Sequence, residues 1–119
     1  MEEKLFDSER KVMEVLWREG DLKAKNISLI LAEKIGWNKN TTYTVIKKCI
    51  EKGLIERIEP GFLCRPNITR EQAIENDTED FVNRVFDGSV PLLFSALLQQ
   101  KKLTKEEIGQ LKQLIREME

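Results

Sequence analysis

The sequence has no histidine in 119 residues. That removes the side chain most used as a general base near neutral pH, the Ser-His and Cys-His nucleophile pairs, and the commonest zinc ligand. Its two cysteines, Cys49 and Cys64, are too few to complete a metal site. In a cytosolic chain such a pair is more often reduced and half-buried than bridged. Gly53, Gly61, Gly88 and Gly109 each stand alone, so no glycine-rich loop is available to cradle a phosphate. No apolar run approaches the roughly 18 residues of a membrane span. The start, Met1-Glu2-Glu3-Lys4, lacks the basic-then-apolar pattern of a secretory leader. The expectation is a cytoplasmic protein, not an enzyme, with no metal, no cofactor and no membrane insertion. What is present, 40% hydrophobic and 34% charged residues, folds rather than stays disordered. The length suits one ordinary domain, or a small domain with an appendage.

The net charge of −1 conceals a split. From Leu22 to Pro66 nine Lys and Arg stand against four acids, a balance of +5, whereas Asn67 to Glu119 carries −3. Such asymmetry is the footprint of a segment that meets polyanions joined to one that does not, although a basic patch of this size can equally be a solvated face.

Apolar periodicity organises the chain. Val12, Met13, Leu16 and Trp17 fall at helical spacing, with Ser8 as the expected N-cap and Gly20 as the stop. Ile27, Ile30, Leu31 and Ile35 make a second stripe that closes at Gly36, and Val45, Ile46, Cys49 and Ile50 a third that closes at Gly53. Leu54 to Ile58 and Phe62 to Pro66 then flank a Pro-Gly turn, which reads as a β-hairpin ended by Pro66. Three helices and a hairpin in this order form a winged helix-turn-helix.

The stretch WNKNTTYTVIKK, Trp37 to Lys48, contains three of the six threonines. Thr, Tyr and Val favour strands, so a strand is the competing assignment. The spacing from Val45 onward and the N-cap preference of Asn38 favour a helix. With the third stripe turned inward, Asn40, Tyr43, Thr44, Lys47 and Lys48 lie on or beside the outer face. Short polar groups at a helix start suit phosphate oxygens and base edges, and lysines a turn or two later reach the backbone or guanine. An ordinary solvated helix would carry Glu, Lys and Gln there instead.

Three runs, ERKVMEVLW (Glu9–Trp17), WNKNTTYTVIKKCIEKGLI (Trp37–Ile55) and FLCRPNI (Phe62–Ile68), together resemble the BlaI/MecI family of penicillinase repressors. Glu9, Val12, Met13, Leu16 and Trp17 match the family's first-helix motif. Trp37, Thr41, Thr44, Lys52 and Gly53 match its recognition-helix pattern, in which Asn38 replaces Ser, Lys48 replaces Arg and Cys49 replaces Leu. Lysine at 48 keeps the charge and gives up bidentate geometry. In the wing Phe62 and Pro66 match, while Cys64 replaces a tyrosine. The resemblance implies a winged-helix homodimer that binds a palindromic operator and blocks transcription, of β-lactam-resistance or related stress genes. It also implies release through a membrane sensor pathway that cleaves the middle helix of the dimer domain. The cleaved bond aligns with Ser95–Ala96, and neither residue matches the family's Asn-Phe.

The C-terminal half has too little chain to bury its own apolar surface. Thr69 with Gln72 resembles a capping box ahead of Ile74, Phe81, Val82, Val85 and Phe86. Val90 to Leu98, including Leu92, Leu93, Phe94 and Leu97, is apolar nearly all round. Thr104 with Glu107 caps a last helix bearing Ile108, Leu111, Ile115 and Met118. A helix apolar on every side needs cover on every side, and three short helices do not supply it. A second copy of the chain is the simplest cover, and a satellite packed on the winged domain is the alternative. Residues 1–66 are expected to bind DNA and residues 69–119 to dimerise. The contacts are assigned to Asn38, Lys39, Asn40, Thr41, Tyr43, Thr44, Lys47 and Lys48, with Arg57 and Arg65 beside the wing. The rival readings are a winged-helix protein-interaction module and a copper-responsive relative of the CopY type. The first would need an apolar third helix, and the second a C-terminal cysteine cluster.

Overall fold

Helix α1 (Asp7–Glu19) is held by the inward side chains of Val12, Met13, Val15 and Leu16. It starts one residue before the expected cap, with Phe6 rather than Ser8 at the N-cap. A phenylalanine has no side-chain acceptor to offer the first turn. Instead Glu9 reaches back and accepts the Phe6 N–H at 2.9 Å, which satisfies one of the donors a helix start leaves open. Strand β1 (Leu22–Lys23) follows, then α2 (Ala24–Ile35), which buries Ala24, Ile27, Ser28 and Leu31. Only three residues, Gly36 to Asn38, separate α2 from α3 (Lys39–Glu51). That is the spacing of a helix-turn-helix.

The strand alternative for the threonine-rich stretch is therefore overturned. Asn38 accepts the Thr41 N–H at 2.8 Å as the N-cap, and Thr42, Val45, Ile46 and Cys49 turn inward at helical spacing. Gly53, at φ +78°, closes the helix, and the Leu54 N–H reaches back to the Cys49 carbonyl at 2.8 Å. A left-handed turn of this kind favours glycine.

Strands β2 (Ile55–Ile58) and β3 (Leu63–Pro66) pair antiparallel, Ile55 opposite Pro66 and Ile58 opposite Leu63. The hairpin expected from sequence is thus present, with a third strand that was not anticipated. β1 adds to the other edge of β3, Leu22 opposite Cys64, so the order is β1-β3-β2. Two residues are too few to show any periodicity, which is why β1 left no signal.

The computed structural model describes residues 5–119, in two compact units. The first runs to Thr78 and the second from Glu79 to Glu119. In the first, one core joins all three helices and the sheet, from Leu5 through Met13, Leu16, Ile27, Ile46 and Ile55 to Cys64 and Ala73. Helix α4 (Arg70–Phe86) opens with the expected capping box: Thr69 Oγ1 accepts the Gln72 N–H at 3.0 Å, and Gln72 accepts the Thr69 N–H at 2.9 Å. Trp17 secures the approach to α4 by donating its indole N–H to the Ile68 carbonyl at 2.9 Å.

The second unit holds the end of α4, then α5 (Val90–Gln99) and α6 (Lys105–Met118). Ser89 caps α5, and Thr104 with Glu107 makes a capping box on α6. Local caps define these helices, but packing scarcely does. Val82 is the one buried apolar side chain described in this unit. Phe81 and Phe86 meet edge to face, with centroids 5.6 Å apart.

Candidate nucleic-acid interface

Helix α3 divides cleanly. Its inner face is Thr42, Val45, Ile46 and Cys49. Its outer face, advancing about 100° per residue, carries Asn40, Thr41, Thr44, Lys47 and Lys48, all exposed. Lys39 is also exposed, with its ammonium 5.5 Å from the centre of the Tyr43 ring. Asn38 spends its carbonyl on the cap and keeps its amide N–H groups. Tyr43 departs from the expected pattern in being half-buried, its ring edge set against Phe62 of the hairpin.

A buried ion pair ties the end of α3 to α1. Lys52, at the end of α3, donates to Glu9 of α1 at 2.8 Å, and the Glu9 side chain is only 1% exposed. The Lys52 ammonium also lies 4.2 Å from the centre of the Phe6 ring. Breaking such a pair from one side strands a charge away from water.

The hairpin presents its two arginines on opposite faces. Arg57 lies opposite Cys64 and Arg65 opposite Glu56, and neighbours along a strand alternate sides. Arg57 pairs with Glu59 and lies over the Phe62 ring, 3.6 Å from its centre. This brings it to the α3 side. Arg65 bonds Asp21 at 2.9 Å on the far side. Both pairs are solvent-exposed. Arg65 can exchange Asp21 for a phosphate, and Arg57 gives Glu59 only its Nε and keeps its terminal N–H groups. The Glu59 carboxyl is held below its usual range, chiefly by the Phe62 N–H and then by Arg57.

Lys23 is a further cation of the wing that does not stand out in the sequence. Strand β1 sets its side chain against the turn of the hairpin, so close that a Cβ at Gly61 would lie 3.2 Å from its Cε. It adds a cation at the turn of the wing, on the side of the sheet that carries Leu63 and Arg65 rather than Arg57, and the short strand gave no means of placing it.

Both cysteines are fully buried. Burial, reinforced by the Glu9 charge, pushes the Cys49 thiol up to about 12, and burial pushes the Cys64 thiol up to about 11. Neither is a ready thiolate.

The residues assigned to dimerisation divide by exposure. Phe81, Val85, Leu92, Phe94 and Ile115 of the second unit are exposed, as is Ile74 in the first. Leu93, Leu97, Ile108 and Leu111 are half-buried. Ser95, exposed, and Ala96, half-buried, sit in the middle of α5. No single helix among the described residues is long and apolar enough to cross a membrane.

Three helices with a tight α2–α3 turn and a two-stranded wing define a winged helix-turn-helix. The solution structure of the DNA-binding domain of the repressor BlaI superposes on it with a TM-score of 0.54 at 25% identity, covering 60% of this chain and 93% of that one. The family model described as penicillinase repressor matches residues 5–117, and the chain belongs to that family, which consists of transcriptional repressors rather than enzymes. It is 28% identical to the penicillinase repressor of Bacillus licheniformis, over 95% of this chain and 90% of that protein. It is 24% identical to the methicillin resistance regulatory protein MecI of Staphylococcus aureus (strain N315), over 93% and 92%.

Proposed function

We propose that this protein is a cytoplasmic DNA-binding repressor that sits on a palindromic operator as a homodimer and excludes polymerase. The observation that carries the reading is the outer face of α3. Asn40, Thr41, Thr44, Lys47 and Lys48 stand together there, exposed, on a helix whose other side is locked into the core. Such a face fits a major groove, with Thr44 and Asn40 reading base edges and the lysines with Asn38, Lys39 and Thr41 holding phosphates. An apolar docking helix would look different, so an interaction module is the poorer fit. Residues 69–119 supply the dimer. Phe81, Val85, Leu92, Phe94 and Ile115 leave more apolar surface in water than a short helical unit normally tolerates, and a second copy covers it through a self-complementary patch. On the family resemblance the targets are β-lactam-resistance or related stress genes, and a membrane sensor pathway that severs α5 would separate the subunits.

Gel shifts on the chain's own upstream DNA at several salt concentrations test the interface. Lys47→Ala or Lys48→Ala is expected to lower the salt slope by about one, and Thr44→Ala or Asn40→Ala to cost about 1–3 kcal/mol with altered base preference. Four variants that bind like the unmodified chain would refute the assignment of α3.

A further inference from the structure

The turn of the wing contains a backbone conformation its side chain should avoid. Phe62 has φ +53°, in the left-handed region that bulky residues rarely occupy. Gly61 stands immediately before it at φ +91°, so a glycine was available next door, and an aromatic nonetheless holds position 62. A strained residue persists where its surroundings over-determine it. Here they do so from three directions. Glu59 accepts the Phe62 N–H at 3.2 Å. The Arg57 guanidinium lies over the ring, 3.6 Å from its centre, with its Nε tied to the same Glu59. The Tyr43 ring meets Phe62 edge-on, at 5.8 Å between centroids and 84° between planes.

These contacts form one chain, Glu59 to Arg57 to Phe62 to Tyr43, from the wing turn to the second turn of α3. Tyr43 is three residues from Asn40 and four from Lys47, within the face that meets DNA. The Arg57 side chain remains 45% exposed, and only its Nε is committed to Glu59, so its terminal N–H groups can reach a phosphate.

We propose that Phe62 is a positioning residue for operator recognition: its ring clamps Arg57 to Tyr43, so that the wing's phosphate contact and the base-reading face of α3 are delivered in one fixed register. The inference rests on the DNA-binding reading above. A register matters only where both elements must fit at once. On an arbitrary sequence the wing can shift and any cation serves, because that binding is counterion release.

The test uses the full chain and two duplexes, one enriched from a random-sequence library by the unmodified protein and one scrambled from it. Phe62→Leu keeps apolar bulk but removes the ring, and Arg57→Lys keeps the charge but removes the planar group. Each is expected to weaken binding to the enriched duplex about tenfold, and Phe62→Leu, which removes no phosphate contact, to leave the scrambled duplex within about twofold. Combining them should cost little more than either alone, since both break the same stack. Phe62→Tyr, which keeps the ring, should bind like the unmodified chain. If Phe62→Leu proves unstable in a thermal melt, Arg57→Lys and Phe62→Tyr carry the comparison, because Arg57 is a surface side chain. Equal losses on both duplexes for Phe62→Leu, losses that multiply in the double variant, or no loss at all would each overturn the proposal. Failure of the unmodified chain to enrich any duplex overturns the DNA-binding reading itself, and is seen before any variant is made.

Discussion

Replacing Lys52 by methionine is expected to be among the most damaging single changes in the winged unit that leaves its apolar core intact. The perturbation removes one charge and keeps an unbranched stem of similar reach. Glu9, 1% exposed, would be left with the Phe6 N–H at 2.9 Å as its acceptor contact and no cation at 2.8 Å. Breaking a buried pair from one side typically costs about 3–5 kcal/mol. Lys52 is itself 19% exposed, so water can partly replace it, and the lower end, about 3 kcal/mol, is the better figure. A domain has about 5–15 kcal/mol in total, so the loss is a large fraction. For a unit of this size it should lower the melting temperature by roughly 10–20 °C. Trp17 and Trp37 both lie in the first unit, so tryptophan fluorescence during urea unfolding reads that unit directly. Comparisons belong at one protein concentration, since assembly shifts apparent stability. The second variant is decisive. Glu9→Gln with Lys52→Met removes the stranded charge while an amide oxygen can still accept the Phe6 N–H, so it should recover about 2 kcal/mol relative to Lys52→Met. A cost below about 1 kcal/mol for Lys52→Met, or a double variant as unstable as the two singles combined, would refute the account of this pair.

Thr42 is fully buried and its Oγ1 has no hydrogen-bond partner among the described residues. Thr42→Val keeps the shape and removes the unpaired hydroxyl, so it should raise stability by about 1–2 kcal/mol without changing DNA affinity; a destabilised variant would show that the hydroxyl is bonded. The raised thiols predict alkaline sensitivity. Cys49 and Cys64 stay protonated in the folded chain until about 12 and about 11, whereas the unfolded chain releases those protons above its ordinary value near 9. Their contribution is therefore complete below pH 9 and is lost as pH rises through the folded values, by at most about 1.4 kcal/mol per pH unit per thiol. Cys49→Ala should flatten that decline in urea midpoints measured between pH 8 and 10.5, and an unchanged slope would contradict the burial argument.

What the sequence disclosed follows from the range of each interaction. The helical stripes, the caps at Asn38, Thr69 and Thr104, and the Pro-Gly hairpin are local patterns, legible from neighbours a few positions apart. The outer face of α3 follows from the same periodicity once Val45, Ile46 and Cys49 are turned inward. The pair between Glu9 and Lys52 was not legible, although both residues stood out in the family motifs, because nothing local couples positions 43 residues apart. The start of α1 was misplaced for a related reason. Ser8 is the better cap in isolation, yet Glu9, drawn toward Lys52, caps the Phe6 N–H instead. Lys23 and the Phe62 clamp depend on a two-residue strand and on one positive φ, and neither leaves a compositional trace.

The two units use their apolar residues in opposite ways, and that difference bears on control. The first unit spends Met13, Leu16, Ile27, Ile46 and Ile55 on its own core, so the α3 face stays organised with or without a partner. The second leaves Leu92, Leu98, Leu114, Ile115 and Met118 more than half exposed, so it has little packing of its own to hold it. In the proposed dimer, dissociation would leave the winged unit folded but deprive it of a second half-site, which would weaken binding through lost effective concentration rather than through any change at the interface. It would also expose α5, ten residues long and with no buried side chain, which is too short to hold its helix alone. A protease needs extended chain, and local opening is cheapest where burial is least. Ser95, exposed in the middle of α5, is thus placed where a cut would meet little resistance, and where it would divide the apolar surface proposed to hold the two copies together.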